Sequence, residues 1–288
     1  MRQRVVVESP VRGFWVGLPI IAALLALFVS ACTPPVAPAG GGRPMMGPQI
    51  AQMGKAAFED VVARTPVSTD LAAREFVTCT GAALASVLDG DPGRWSWQFE
   101  LFAADSAGAF ALPGGRVGVD EGLLIHVRRQ DQLAAVIAHG MAHLAAGHAE
   151  QRVAAALGDA VGDATPGASL ADAAQAGDDR RELALAALGY GDRIGEILPY
   201  TLEQEAEADS LSLVLMSQAG FDPRESVEPW KSLRRAGGAA AQDFPEYFEA
   251  HTVNDGRIKR LYADIGSSVS RYKDARALGR RPDCPRPR

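Results

Sequence analysis

Two histidines, His139 and His143, stand four residues apart in a stretch whose apolar residues recur at helical spacing. That spacing puts both imidazoles one turn apart on one helix face, where they can reach a single ion. Further along, Glu205 and Asp209 repeat the same spacing in an otherwise aliphatic run opened by Glu203. A catalytic zinc site takes three protein ligands and leaves the fourth position to water. Glu205 is the candidate third ligand, and Asp209 can accept the other ring N–H of a ligating histidine, which fixes its tautomer. Each pair alone has a plainer reading: two partly buried histidines with ordinary hydrogen bonds, and a solvated acidic helix face. Taken together they favour one bound Zn2+ per chain. His148 does not join them, because on a continuous helix it lies about two and a half turns from His139 and points away. Its spacing also falls one residue short of the three-histidine protease motif.

The elements that must position these groups read as mostly helical with a small sheet, an α+β class. Leu133, Val136, Ile137, Met141 and Leu144 make an apolar stripe within one helix over Gln130 to Leu157, with Asp131 near its start. Glu203 to Ala219 is a second helix, closed by Gly220 with Pro223 beyond it. Ahead of them, Gln49 to about Gly90 carries two helices and Trp95 to Phe102 alternates as a strand. Ala109 to Leu112 and Arg116 to Val119 flank Pro113-Gly114-Gly115 as a hairpin. Gly158 to about Gly191, rich in Ala, Gly and Asp, reads as a lid or helical excursion. Two more helices follow, around Glu225 to Ala236 and Asp255 to Ile265.

The N-terminus belongs to a different argument. Arg2, Arg4 and Arg12 precede an apolar run from Phe14 to Phe28, which has the form of an export signal. The run ends in Val29-Ser30-Ala31-Cys32, which resembles the lipobox of bacterial lipoproteins, so Cys32 is the candidate lipidated residue. The alternative is a transmembrane anchor, for which about 15 apolar residues is short. Residues 32–48 are rich in Pro and Gly and read as a tether. The divisions are then a signal peptide at 1–31, the tether at 32–48, a domain at 49–275 and a tail at 276–288. Thr33 after the cysteine, by resemblance to Gram-negative lipoproteins, implies attachment to the outer membrane facing the periplasm. That compartment is oxidising and permits a disulfide between Cys79 and Cys284, although sequence does not say whether they meet. With 288 residues, 47% of them hydrophobic, the chain can bury a core, and a net charge of -6 argues against nucleic acid as a partner.

Several blocks resemble the HtpX-like and CAAX prenyl protease zinc metallopeptidases, peptidase family M forty-eight, in its periplasmic branch. They are Ala109-Phe110-Ala111-Leu112-Pro113-Gly114-Gly115, Gly122-Leu123-Leu124, and Leu133-Ala134-Ala135-Val136-Ile137-Ala138-His139. Leu198-Pro199-Tyr200, Glu205-Ala206-Glu207-Ala208-Asp209 and Ala219-Gly220-Phe221-Asp222-Pro223 follow in the family's order. The resemblance implies a gluzincin-type fold whose small twisted sheet lays an edge strand beside the zinc cleft. It maps the ligands onto His139, His143 and Glu205, puts Asp209 behind them, and places His251, followed by Arg257-Ile258, near the reacting carbonyl as an oxyanion donor.

The resemblance fails at Gly140, where the family carries the glutamate that moves protons to and from zinc-bound water. It also fails at Gly108 for Asn, Gln132 for Glu and Thr201-Leu202 for Ser-Arg, which puts substrate and outer contacts in doubt. Two functions stand. One is an endopeptidase acting on unfolded or misassembled envelope proteins with hydrolysis impaired, unless Glu207 or His251 replaces the base. The other is a zinc-stabilised pseudoprotease that clamps extended chains by strand addition.

Overall fold

The computed structural model describes residues 47–160, 188, 200–237, 251 and 254–287, all within the compact unit Gly41–Arg288. The signal segment, the tether up to residue 46 and nearly all of the proposed lid lie outside the described residues.

Helix α1 spans Gly47–Arg64, two residues ahead of the boundary drawn at 49, and α2 spans Leu71–Ala85. The Asp70 carboxylate starts α2 by accepting from the N–H groups of Ala72 and Ala73, two donors that a helix cannot satisfy internally. Strands β1 (Gln98–Phe102), β2 (Ala109–Leu112) and β3 (Arg116–Asp120) form one sheet in the order β1-β3-β2. β1 runs parallel to β3 and β2 antiparallel to it, so β2 is an edge among the described residues. Gly114 and Gly115 turn the hairpin at φ +81 each, backbone that side-chain-bearing residues rarely adopt.

Helix α3, Gln130–Ala145, is the buried centre, with every residue from Gln132 to His139 shielded. It packs against α2, β2 and the two helices α5 (Leu202–Ala219) and α6 (Val227–Gly237). The single helix read over Gln130 to Leu157 is in fact two. α3 stops at Ala145, Gly147 takes φ +71, and α4 begins at His148 and runs to Ala160. A glycine in the left-handed region closes a helix readily, and the apolar periodicity on both sides concealed the break.

Thr201 caps α5 through a reciprocal box with Gln204. Gly220 closes it at φ +89, with Phe221 N–H bonded to Met216 C=O. A Cβ on Gly220 would lie 2.1 Å from the Arg280 carbonyl oxygen, so this glycine also admits the C-terminal segment. The last helix, α7, spans Asp255–Ala277, longer than the sequence pattern indicated and across the boundary drawn at 275. The residues set apart as a tail are fastened to the domain. Cys284 is disulfide-bonded to Cys79 with Cα atoms 5.6 Å apart, and Gln130 brackets the bond by accepting from Cys284 N–H and donating to Pro282 C=O. The fold is the mostly helical α+β, gluzincin-type one that the sequence indicated. No helix among the described residues is long and apolar enough to cross a membrane.

Candidate metal centre

Four buried side chains converge where α3, α5 and the segment before α7 meet: His139, His143, Glu205 and His251. His139 Nε2 lies 3.1 Å from His143 Nε2 and 3.2 Å from His251 Nδ1. Glu205 Oε1 lies 2.7 Å from His251 Nδ1 and 3.4 Å from His143 Nε2, and its Oε2 is 3.5 Å from His139 Nε2. A tetrahedral ion with bonds of about 2.0–2.2 Å has donor–donor edges of roughly 3.3–3.6 Å; the separations among His139, His143 and Glu205 lie near that range, and the 2.7 Å between Glu205 and His251 is shorter, a hydrogen-bond distance. Glu205 Oε2 is buried without a well-oriented hydrogen bond, although Arg257 Nη1 stands 2.8 Å away. An oxygen with spare acceptor capacity and three imidazoles facing one another suit a shared cation better than they suit each other.

For His251, His143 and Glu205 the protonation tendencies agree with that role. Burial pushes His251 down to about 4 and His143 well below its usual value, so both rings are neutral with a lone pair to offer. Burial opposes charge on Glu205, but its contacts with the surrounding histidines outweigh that and hold its carboxyl well below the usual carboxylate range. His139 is raised: burial and Arg257 push it down, and Glu205 and Asp209 more than offset them.

Outside the donors, Asp209 Oδ1 lies 3.1 Å from His139 Nδ1, the contact its spacing predicts. The sequence did not show what holds Asp209. Arg257, almost fully buried, donates to it from Nε and Nη2, both at 2.8 Å. The same guanidinium reaches Glu205 and lies 4.4 Å from the centre of the Trp230 ring. On the other flank, Tyr200 stacks on His143 with ring centres 3.8 Å apart, and Arg152 covers Tyr200. Arg257 and Tyr200 both stand in the blocks that carry the family resemblance, but nothing in their spacing ties them to a metal.

The model of peptidase family M48 matches residues 75–265. This chain belongs to that family. It is 32% identical over 165 residues to the mitochondrial metalloendopeptidase OMA1 of Schizosaccharomyces pombe, covering 57% of this chain and 45% of that one. It is 31% identical over 214 residues to the metalloprotease LoiP of Escherichia coli, covering 73% and 71%. Identity to the beta-barrel assembly-enhancing protease of Escherichia coli is 27% over 222 residues, covering 73% of this chain and 42% of that one. The chain thus spans less than half the length of two of these relatives. The M48 peptidases are metalloproteases, so the family implies a metal and the four-donor group is where this chain can hold it.

Seen as an M48 domain, the chain departs from the family pattern at the reacting side. A Cβ on Gly140 would meet Ala111 Cβ on β2 at 3.1 Å and otherwise only Ala111 N, at 3.8 Å, so this position faces the edge strand and carries no carboxylate. Glu207 does not fill the gap. Its side chain is 61% exposed and contacts His148 rather than the donors. His251, read as an oxyanion donor beside the carbonyl, has its Nδ1 inside the donor group instead. The other departures are accommodated locally. Gln132 bridges Arg128 N–H and Glu225, Thr201 is a helix cap, and a Cβ on Gly108 would press on Asp120 Oδ2 at 2.4 Å.

Proposed function

We propose that this chain is a zinc-binding M48 lipoprotein of the bacterial envelope that engages unfolded or misassembled envelope proteins, with hydrolysis strongly impaired. The observation that carries this reading is the contrast between a complete donor group and Gly140 beside it, where the general base of the His-Glu-x-x-His motif would stand. His139, His143 and Glu205 would hold the zinc, which when bound acidifies water and polarises a carbonyl. Asp209 orients His139. His251 takes the fourth donor position, so an open site requires that it withdraw. Without a carboxylate at 140, no side chain there takes the proton from the attacking water or returns it to the leaving amine.

The second reading, a clamp that binds without cutting, is favoured by β2, an edge of the sheet among the described residues, whose Ala111 faces Gly140. Extended chains can add to such an edge through main-chain hydrogen bonds. One experiment separates the readings: zinc content and digestion of an unfolded protein such as casein, for the parent and for Gly140→Glu. Zinc should approach one per chain in both. Positioned acid–base catalysis contributes about 10² to 10⁴ in rate, and the variant should gain on that scale, provided β2 gives way at Ala111. A parent as fast as the variant would show that another group serves as base. A zinc-loaded variant that stays inert would leave the clamp as the better reading.

The envelope assignment rests on the N-terminal charges, the apolar run and the Val29-Ser30-Ala31-Cys32 sequence. Lipid on Cys32 would anchor the domain to the membrane, facing the periplasm from the outer membrane. Labelled fatty acid should enter the protein and be lost in Cys32→Ser, whereas label retained in that variant would reject the lipoprotein.

A further inference from the structure

His148 is excluded from the donor group, yet it is 1% exposed and stands directly behind a donor. Its Nδ1 lies 2.9 Å from His143 Nδ1, and its Nε2 lies 3.3 Å from Glu207 Oε2. The placement depends on Gly147. In an unbroken helix residues 143 and 148 would be turned about 140° apart, but the left-handed glycine ends α3 and starts α4 so that the two rings face each other.

Counting protons along this line leaves one arrangement. His143 Nε2 faces the donor group and must present its lone pair, so the single proton of the neutral ring is on Nδ1. That N–H donates to His148 Nδ1, which must then be unprotonated. The one proton of His148 is therefore on Nε2, where Glu207 Oε2 stands as the acceptor. Run in reverse the line fails, because it would put the proton of His143 on Nε2, which faces the donor group and must offer a lone pair.

We propose that His148, backed by Glu207, is a positioning residue for the metal site: it fixes the tautomer of His143 and aims Nε2 at the ion. The inference rests on the zinc reading above. It gives His143 what Asp209 gives His139, a carboxylate behind the ring, here relayed through a second imidazole. Partners of this kind change metal affinity by 10- to 100-fold when removed.

The test is zinc affinity by chelator competition in the full chain, with His148→Phe and His148→Gln. Phenylalanine keeps a ring but accepts no hydrogen bond, and glutamine keeps an acceptor. His148→Phe should bind zinc 10- to 100-fold more weakly, and His148→Gln should recover most of that loss. In the zinc-loaded parent, ring ¹⁵N shifts should show His143 Nδ1 protonated and His148 Nδ1 bare. If His148→Phe proves unstable, Glu207→Ala at the exposed end of the line serves instead, with a smaller loss. Variants that match the parent, a glutamine no better than phenylalanine, or the opposite ¹⁵N pattern would overturn the relay alone. A parent that takes up no zinc would overturn the zinc reading, and the relay with it.

Discussion

Glu205 is touched by His251, His143 and Arg257, and each of the two histidines that α3 brings to the donor group has a buried partner behind it. Gly140, next to His139 on the same helix, faces Ala111 and no other group within 4 Å across the cleft among the described residues. Holding a metal and using it therefore draw on different neighbours of α3: other helices on one side, the strand β2 on the other. The donors and their supports come from α3, α4, α5, α7 and, for His251, the segment before α7, and all four donors are buried. The reacting side depends on one side chain between α3 and an edge strand, and it can be lost without disturbing the rest.

The largest effect should come from the supported side. Arg257 pairs with both Asp209 and Glu205, all three nearly sealed from solvent. Removing one member of a buried charged network costs about 3–5 kcal/mol, since the remaining charges stay buried and unpaired. Arg257→Ala should therefore lower the unfolding free energy of the metal-free protein by that amount in a urea titration. Metal should narrow the gap, because a cation beside Glu205 does part of the work of the guanidinium. A change below ~1 kcal/mol in the metal-free protein would mean that Arg257 is ornamental to the cradle.

How far the site could be read beforehand follows the same division. His139, His143, Glu205 and Asp209 were legible because helical periodicity fixes which residues share a face, and a metal needs several on one. The break at Gly147 was not, because one glycine inside an apolar repeat is compatible with a continuous helix at a cost of only about 1 kcal/mol. His148 stays outside the donor group as its spacing implies, but with the break hidden nothing indicated that its ring would meet His143 from behind. Arg257 was visible as part of a pattern but not as a partner of Asp209, since a contact between α5 and α7 leaves no local trace. The same holds for Cys79 and Cys284, whose meeting depends on how the segment after α7 folds back. The length of α7 beyond Ile265 was missed because that stretch buries few residues, Ser268 and Ala275 among them, and so carries little apolar stripe to count.

The smallest effect belongs to the empty side, and it controls for the interpretation of Gly140→Glu. Glycine in a helix interior is less favourable than alanine by about 0.5–1 kcal/mol, so Gly140→Ala should gain that much if nothing else changed. The new methyl group would stand 3.1 Å from Ala111 Cβ, close enough that β2 must shift by a few tenths of an ångström. An edge strand paired on one side only can move more easily than one held on both, so the two effects should nearly cancel. The expected change in unfolding free energy is within about 1 kcal/mol of zero, with no gain in casein digestion. Its sign reports whether β2 yields. A stabilised Gly140→Ala would mean the strand gives way, so that inactivity of Gly140→Glu could not be blamed on crowding. A loss well beyond ~1 kcal/mol would show a rigid wall at Ala111, and Gly140→Glu would then need a companion Ala111→Gly before its activity could be compared with the parent's.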